Sequence, residues 1–330
     1  MRLFVLVTAL IFAGGADGAT GADRWADLTE QATRLYIEGR LPEVEECLRK
    51  ALNVAETFEP NDVRLPQTLT LLGTAVWNLA KPAEAEQLYL RALGLWEHNQ
   101  LSGHPDAAAT LSCLATLRRI SGRYREAELL QRRALSIIET LFGADGPESA
   151  MARSGLAAVH NALGQYEKTV LVLNLDTEVW DRVPASQRAA MLNMLGLAQH
   201  GLGRDKEAER QLSSALRIRR EVLGPAHPKL AEACVNLALV KANLGEFTEA
   251  EVLIKESRSI VIANFGPGHP LEAAVRRVSA HLLRKTGHKK EARTMDRQAL
   301  EIEQAWAHAA DGGAYTVDVE ELRRTRQKQR

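Results

Sequence analysis

Three histidines followed by proline are the residues in this sequence whose type and context first suggest chemistry. They are His104, His227 and His269. Histidine is a common zinc ligand, but the ligands of one ion must converge on a single point. These three occupy equivalent loops of a repeating pattern, which spreads them along one edge of a repeat array. Proline in the first turn of a helix, where its missing N–H costs nothing, explains the dipeptide, and we predict no metal site.

Cysteines and sequence motifs offer no catalytic pattern either. Cys47, Cys113 and Cys234 are odd in number and more than sixty residues apart, which is no disulfide framework. Each lies in a helical pattern and is best explained as a small buried hydrophobic residue. The chain has no nucleophile elbow, zinc-protease motif, phosphate-binding glycine loop or dinucleotide fingerprint. We therefore predict that the protein is not an enzyme and has no cofactor.

The overall charge gives no sign of a polyanionic partner. Lysine plus arginine and aspartate plus glutamate number 42 each, and 45% of the residues are hydrophobic. No long-range field favours nucleic acid or an anionic membrane. The composition is that of a folded chain with enough apolar side chains for a core. We predict protein or peptide partners and no nucleic acid, and the sequence leaves the oligomeric state open.

The first 22 residues have the order of an export signal. Arg2 precedes an apolar run from Leu3 to Ala13, which a small-residue stretch ending at Ala22 follows. The run of 11 residues is too short for a membrane-spanning helix, and its flanks fit a signal peptide. Ala16, Gly18, Gly21 or Ala22 is the last residue removed. We predict a periplasmic or secreted protein with no membrane span in the mature chain.

A short motif of small and acidic residues occurs seven times and organises the rest of the chain. The first small residue of each copy stands at Val44, Ala85, Ala127, Thr169, Ala208, Ala250 and Ala292. The steps between them are 41, 42, 42, 39, 42 and 42 residues. A fixed period of this length marks a solenoid whose units bury their apolar faces against each other.

Each unit is predicted to be a pair of helices. In the segment from Gln67 to Ala80, apolar residues recur every three or four positions and mark one face of a helix. Glycine ends most of these first helices, and the small residues early in each second helix permit close helix packing. The fourth unit, with Thr169 and Asp176 at the two small positions, should pack less regularly. The predicted units are 24–58, 66–100, 105–142, 147–182, 185–223, 228–265 and 270–309, within an array of 23–309, followed by a polar tail at 310–330.

The small-residue spacing resembles that of the tetratricopeptide repeat, or TPR, and the 42-residue period resembles its kinesin light chain branch. Members of that branch read as His-Pro, then Leu-x-x-Leu-Ala, then Gly-x-Tyr-x-Glu-Ala-Glu. Here His104-Pro105 leads to TLSCLA and GRYREAE, and His227-Pro228 leads to ACVNLA and GEFTEAE. The resemblance covers roughly Arg24 to Ala309. It implies an all-α TPR solenoid, a right-handed superhelix of about seven antiparallel helix pairs.

The resemblance also implies a binding surface, because the first helices of such repeats line a concave groove that takes a peptide. In kinesin light chain repeats an asparagine pair meets the peptide, and this chain keeps one member as Asn193 and one as Asn236. The other candidate groove residues lie near the ends of first helices and are Asn78, Arg119, Asn161, His200 and Asn243. An equally weighted alternative is that these asparagines bond neighbouring helices or cap their own.

The sequence thus predicts a scaffold that holds a peptide or a segment of a partner protein in its concave groove. Two alternatives remain. The first is a self-assembling structural protein, driven by an apolar edge of the first unit. The second is a regulatory subunit of a separate effector enzyme. Fold-level analogy names a class of activity and no specific partner.

Overall fold

The computed structural model describes residues 20–309, which form fifteen α-helices and contain no strand. Of the predicted signal peptide, residues 1–22, only the last three are described, and they begin the first helix. The predicted tail, residues 310–330, lies outside the described residues. None of the described helices is both long and apolar enough to cross a bilayer. The chain divides into two compact units, Met1–Leu141 and Phe142–Arg330, called the N-terminal and C-terminal units below.

The N-terminal unit is built from three helix pairs. They are α1 (Gly21–Ile37) with α2 (Leu41–Ala55), α3 (Arg64–Asn78) with α4 (Pro82–His98), and α5 (Pro105–Ile120) with α6 (Tyr124–Phe142), whose last residue belongs to the C-terminal unit. Short turns within each pair make its two helices antiparallel. Each pair packs on the next, α2 against α3 and α4 against α5. One apolar core, which includes Leu72, Trp96 and Leu111, runs through the unit.

The C-terminal unit contains the remaining helices. They are α7 (Pro147–Ala162), α8 (Tyr166–Val172), α9 (Thr177–Arg182), α10 (Ala185–Gly201), α11 (Asp205–Leu223), α12 (Pro228–Leu244), α13 (Phe247–Phe265), α14 (Pro270–Lys285) and α15 (Lys289–Ala309). In both units, the odd-numbered helices α1 to α7 and the even-numbered helices α10 to α14 are the first helices of their repeats. Their partners, with α8 and α9 together, are the second helices. The fold class predicted from the sequence, an all-α TPR-type solenoid, is confirmed.

Left-handed residues close most of the first helices, as the sequence predicts. Gly122 has φ 75° and Gly245 has φ 85°, and both join a first helix to its partner. Glycine adopts this conformation without the steric cost that a β-carbon brings. The second repeat differs only in residue type, because Ala80 takes φ 59° at the equivalent turn.

Small residues on both helices of a pair set how closely they pack. The predicted alanines of the second helices are fully buried at Ala85, Ala127, Ala208, Ala250 and Ala292. The first helices contribute glycines that the sequence analysis did not single out. A β-carbon on Gly73 would lie 2.6 Å from the ring of Tyr89, and one on Gly196 would lie 2.6 Å from Leu212. Glycine stands here because a large side chain of the second helix fills the space.

The second helix of the fourth repeat is broken, in line with its irregular sequence. Tyr166–Val172 is followed by a short loop and then by Thr177–Arg182, where the other second helices run without interruption. Thr169 replaces the small alanine and is fully buried. Its hydroxyl donates to Oδ1 of Asn161 at 2.7 Å and also lies 3.2 Å from the carbonyl of Ala157. The first helix therefore supplies the partners that this extra polar atom needs.

Candidate functional site

The three His-Pro dipeptides form helix caps. The backbone N–H two residues after each histidine donates to its Nδ1, at 3.2 Å for His104, 3.1 Å for His227 and 3.2 Å for His269. Nδ1 can accept this bond only when it carries no proton. The rings of His104 and His269 also stack on Trp96 and Phe265, and burial lowers the pKa of His269. Within residues 20–309, no group of three or more His, Cys, Asp or Glu side chains is arranged to hold a metal ion.

The cysteines are buried, as predicted. Cys47, Cys113 and Cys234 are all free thiols with little or no exposure. Burial raises the pKa of Cys113 to about 11 and that of Cys234 to about 12. A thiol that stays protonated at neutral pH is a poor nucleophile. These residues therefore act as packing side chains.

Three of the candidate groove asparagines are buried, and their amides join helices. Nδ2 of Asn236 on α12 donates to Oδ1 of Asn193 on α10 at 3.1 Å. Nδ2 of Asn161 on α7 donates to the carbonyl of Met194 on α10 at 2.9 Å, while its Oδ1 accepts from Thr169. All three side chains are at most 8% exposed. This arrangement is the helix-bonding alternative that the sequence left open.

The other candidates are partly exposed and lie near the ends of first helices. Oδ1 of Asn243 lies 2.7 Å from Nε2 of His281, which joins α12 to α14. Nδ1 of His200 lies 2.6 Å from Oδ1 of Asp205, the first residue of the second helix α11. Asn78 makes a long bond of 3.5 Å to the hydroxyl of Tyr36, and Arg119 is half-buried at the end of α5.

Residue positions around α12 show which side of this helix faces away from the second helices. Leu237 and Lys241 line a cleft of about 530 Å³ between the second helices α11 and α13. Leu239 is two residues from both Leu237 and Lys241. In a helix with 3.6 residues per turn, two residues correspond to a rotation of about 200° around the helix axis. It therefore lies on the opposite side of α12, within a turn of Asn236 and Asn243.

The same side can be followed through three successive first helices of the C-terminal unit. One 42-residue period before Leu239 stands Leu197, within a turn of Asn193 and His200. One period after it stands His281, the partner of Asn243. Leu197, Leu239 and His281 are all partly exposed. We call this partly exposed surface the leucine face, formed by Leu197, His200, Leu239, Asn243 and His281, with the buried amides of Asn193 and Asn236 at its border.

The equivalent positions in the N-terminal unit carry threonine. Counting back from Leu197 with the steps of the repeat gives Ala158 in α7, then Thr116, Thr74 and Thr33. The three hydroxyls donate to backbone carbonyls four residues earlier in their own helices, at 2.8 to 3.0 Å. Sequence reasoning missed this column of positions because it followed polar residue types. The period alone would have revealed the column.

The cleft between α11 and α13 is a separate surface of the C-terminal unit. Its apolar lining includes Leu216 and Leu253, and Val252 at its rim is 59% exposed. Nη2 of Arg220 and Oε2 of Glu256 meet across it at 2.6 Å. An ion pair thus joins its two walls.

Models of one family match the chain over most of its repeats. One model described as tetratricopeptide repeat matches residues 106–170 and 231–305, and a second of the same description matches residues 188–229. Together they cover more than half of the chain. The chain belongs to the tetratricopeptide repeat family. The TPR repeats recognised in its sequence are therefore confirmed. No curated protein sequence matches this TPR protein.

Solved structures share the fold of this TPR protein. One is a Podosopora anserina protein assigned as a kinesin light chain with nearly identical TPR-like repeats, at 22% identity and TM-score 0.51, covering 62% of this chain and 98% of that one. Another is BtubC (BKLC) from P. vanneervenii, at 20% identity and TM-score 0.54, covering 72% and 95%. A third is the Rap conjugation gene regulator of plasmid pLS20 in complex with the Phr* peptide, at 12% identity and TM-score 0.63, covering 90% and 78%. At these identities the likeness concerns the fold.

Proposed function

We propose that this TPR protein is an interaction scaffold that holds a segment of a partner protein against the first helices of its repeats and performs no catalysis. The observation that carries the proposal is the leucine face, a partly exposed surface that continues across three first helices joined by side-chain hydrogen bonds. A continuous surface of this kind can contact an extended segment at several points. The peptide complex of the Rap regulator, which shares the fold, supports the same use of the architecture.

The chemistry of the described residues also supports binding over catalysis. The histidines outside the leucine face that first suggested chemistry serve as caps, and the thiols are buried and protonated. On the leucine face, the imidazole of His281 meets an amide and that of His200 meets a carboxylate.

A random peptide library displayed on phage tests the proposal without a known partner. We expect the full chain to enrich peptides whose binding is lost when Leu197 and Leu239 are both replaced by glutamate. The matched control is Val252→Glu, an equally charged change on the second-helix side, and it should leave binding intact. Failure to enrich any peptide, or loss of binding only with Val252→Glu, would overturn the proposal.

We further propose that the scaffold acts outside the cytoplasm, which rests on the signal-like order of residues 1–22. The start of α1 favours cleavage before Thr20, because the Thr20 hydroxyl accepts from the backbone N–H of Asp23 and the Asp23 carboxylate accepts from the N–H of Thr20. Cleavage after Gly21 or Ala22 would remove this cap. Mass spectrometry of the exported protein should give a mature chain that still contains Thr20, and a full-length chain retained in the cytoplasm would contradict export.

The self-assembly alternative receives no support from the first helix. The exposed residues of α1 include Asp27, Glu30, Gln31 and Arg34, and its one large exposed apolar side chain is Ile37 at 62%. The apolar edge expected for the first unit is therefore not found on α1. End-to-end pairing through this helix would have to bury charged groups.

A further inference from the structure

The cleft between α11 and α13 is open because α11 carries a short side chain at one position. Ser213 lies five residues after Ala208, the first small residue of the fifth repeat motif, and lines the cleft. The other unbroken second helices carry longer side chains at the equivalent position, which are Arg49, Leu90, Arg132, Lys255 and Arg297. A side chain of that length in place of serine would fill part of the cleft. With serine there, the volume of about 530 Å³ suits a small organic ligand, since such sites typically span roughly 300–1,000 Å³.

One ion pair shows how the two walls of the cleft are aligned. Arg220 on α11 donates to Glu256 on α13, 36 residues later in the chain, at 2.6 Å. As alternate helices of the array, α11 and α13 run in the same direction, so the same offset places Ser213 about level with Glu249. These two residues lie seven positions before the ion pair, or about 10 Å along a helix that rises 1.5 Å per residue. The cleft therefore has a closed end at Arg220 and Glu256 and an open end at Ser213 and Glu249.

Leucines form the surface between the two ends. Leu216 of α11, Leu237 of α12 and Leu253 of α13 all line the cleft and are at most 8% exposed. Val252 at the rim is exposed. An apolar group that lies on the leucines leaves water and also shields Val252, and both changes favour binding.

The charges at the closed end are balanced. Arg220 is paired with Glu256, and Arg217 is paired with Glu221 at 3.0 Å. Because each cation there has a carboxylate partner, a charged ligand group would find no excess charge to compensate its loss of hydration.

The charges at the open end are not balanced. The ammonium group of Lys241 bonds one oxygen of each of three carboxylates, those of Glu209, Glu246 and Glu249. Three carboxylates around one ammonium leave an excess of two negative charges. The Glu249 side chain lines the cleft and is 63% exposed, so its carboxylate is accessible to a ligand.

Two further cations precede Ser213 on α11. Arg210 is paired with Glu207 at 3.2 Å, which balances its charge. Lys206 is exposed seven residues before Ser213, or about 10 Å further along the helix. With both included, the carboxylates at the open end still outnumber the cations.

We propose that the cleft binds a small amphiphilic amine, with its ammonium group beside Glu249 and its apolar body on Leu216 and Leu253. The ammonium group of such an amine is a donor only, which suits carboxylate oxygens, and it stays protonated at neutral pH. A carboxylate ligand would be repelled by the excess negative charge at the open end. The site lies on the second helices, so it is independent of the partner segment proposed for the first helices.

Three ligands with the same apolar body test the proposal on the full chain. They are 4-phenylbutylamine, 4-phenylbutanol and 4-phenylbutyrate, which are cationic, neutral and anionic at neutral pH. We expect the amine to bind at least about tenfold more tightly than the alcohol, as one charge-assisted hydrogen bond would give, and the carboxylate to bind no better than the alcohol. Ligand-observed NMR titration measures all three. No binding of the amine, or equal binding of the amine and the alcohol, would overturn the proposal.

Variants of the protein locate the bound amine. Ser213→Leu gives α11 the side chain that α4 has at Leu90, and it should weaken amine binding about tenfold by filling the open end. Glu249→Gln keeps the shape of the side chain and should weaken the amine about fivefold, the upper worth of an exposed ion pair, with binding of the alcohol unchanged. Thermal unfolding confirms that each variant folds.

The matched control is Glu251→Gln, the same change at an exposed position of α13 that does not line the cleft, and it should leave amine binding unchanged. Amine binding that Ser213→Leu or Glu249→Gln leaves intact, or that Glu251→Gln weakens equally, would place the amine elsewhere and contradict the proposal. Such a result would leave the phage-display test of the leucine face unaffected.

Discussion

In the N-terminal unit the column of equivalent positions on the first helices is Thr33, Thr74 and Thr116, whereas in the C-terminal unit it contains Leu197 and Leu239. Each threonine hydroxyl donates to a carbonyl of its own helix, and the hydroxyl of Thr74 also lies 3.2 Å from that of Tyr89 on α4. The leucines instead present apolar surface. The same repeat geometry thus carries two different surfaces, and we expect the C-terminal unit to hold the apolar part of a ligand.

The buried links between first helices differ between the units in the same way. In the N-terminal unit the hydroxyls of Thr70 and Thr110 meet at 2.8 Å, and both also lie within hydrogen-bond distance of carbonyls in their own helices. In the C-terminal unit the Asn193 and Asn236 amides meet at 3.1 Å. A threonine that loses its neighbour can bond its own helix, but an amide has more polar atoms to satisfy. Losing one partner should therefore cost more stability in the C-terminal unit than in the N-terminal unit.

One feature is common to both units, a buried cation that joins three helices. Nη1 of Arg118 on α5 lies 2.5 Å from Glu86 on α4, and its Nε lies 3.5 Å from Glu126 on α6. Lys241 on α12 occupies the equivalent position of the sixth repeat. Its Nζ bonds Glu209 on α11 at 2.5 Å and Glu249 on α13 at 2.8 Å, with Glu246 also bonded. Burial lowers the pKa of Lys241, but the carboxylates outweigh this effect and raise it overall, so the side chain stays charged.

The largest effect that we expect comes from removing this cation in each unit. Lys241→Ala should lower the free energy of unfolding by about 3 kcal/mol, at the low end for breaking a buried ion pair, because the remaining carboxylates are partly exposed. Arg118→Ala should cost less, because it leaves two neighbouring carboxylates where Lys241→Ala leaves three. Urea unfolding monitored by circular dichroism measures both changes.

A rescue variant isolates the cause of that loss. Replacing Glu209, Glu246 and Glu249 by glutamine together with Lys241→Ala should recover part of the stability, because no like charges then face each other. If the neutralised variant is as unstable as Lys241→Ala alone, the loss reflects packing, and the comparison between three carboxylates and two no longer applies.

The next effect tests whether breaking a buried amide link between first helices costs more stability than breaking a hydroxyl link. Asn236→Val should destabilise the chain by about 2 kcal/mol, because it leaves the buried amide of Asn193 without its partner. Thr70→Val should cost under about 1 kcal/mol, because Thr110 keeps the carbonyl of Asp106 as its partner. Denaturant unfolding of both variants gives the difference.

The double variant Asn193→Val with Asn236→Val is the matched control. It removes both polar groups, so it should be more stable than the sum of the two single changes predicts. Additive losses, or equal losses for Asn236→Val and Thr70→Val, would show that the two kinds of link are equivalent.

These contrasts show which features could be predicted from the sequence. The period, the buried alanines and the left-handed glycines follow from local constraints that every repeat must satisfy, so seven copies reveal them. The partners of the asparagines depend on how adjacent helices are offset. Asn193 and Asn236 stand 43 residues apart in a 42-residue period, so they occupy successive positions and meet across the helices. That one-residue offset was visible in the sequence, but only the structure shows that it forms a bond.

The column of Thr33, Thr74, Thr116, Leu197 and Leu239 could not be found from the sequence for a different reason. Threonine and leucine share no chemistry, and a search for similar residue types passes over positions that are equivalent only in register. Ala80 is a second case in which residue type did not reveal the structural role of a position. It takes the left-handed conformation where other repeats have glycine, and its residue type gives no sign of this.

The smallest effect that we expect concerns the histidine caps, which both units use in the same way. Burial lowers the pKa of His269 below the ordinary 6.5, so at a pH near and below that value the unfolded chain binds more protons than the folded chain. The free energy of unfolding should therefore fall as the pH drops through 6.5 and level off below the folded pKa. Protonated Nδ1 cannot accept from the N–H of Leu271, so the loss should be at most about 1 kcal/mol, the usual worth of an N-cap.

Serine at this position separates the cap from the titration, because its hydroxyl caps a helix at any pH. We expect His269→Ser to match the wild type in stability at pH 8 and to exceed it at pH 5, in urea unfolding at the two pH values. His104→Ser, made in parallel, shows how much the N-terminal unit depends on the same cap. A difference between His269→Ser and the wild type that does not change with pH would mean that the imidazole caps α14 equally well in both charge states, which the accepting geometry of Nδ1 argues against.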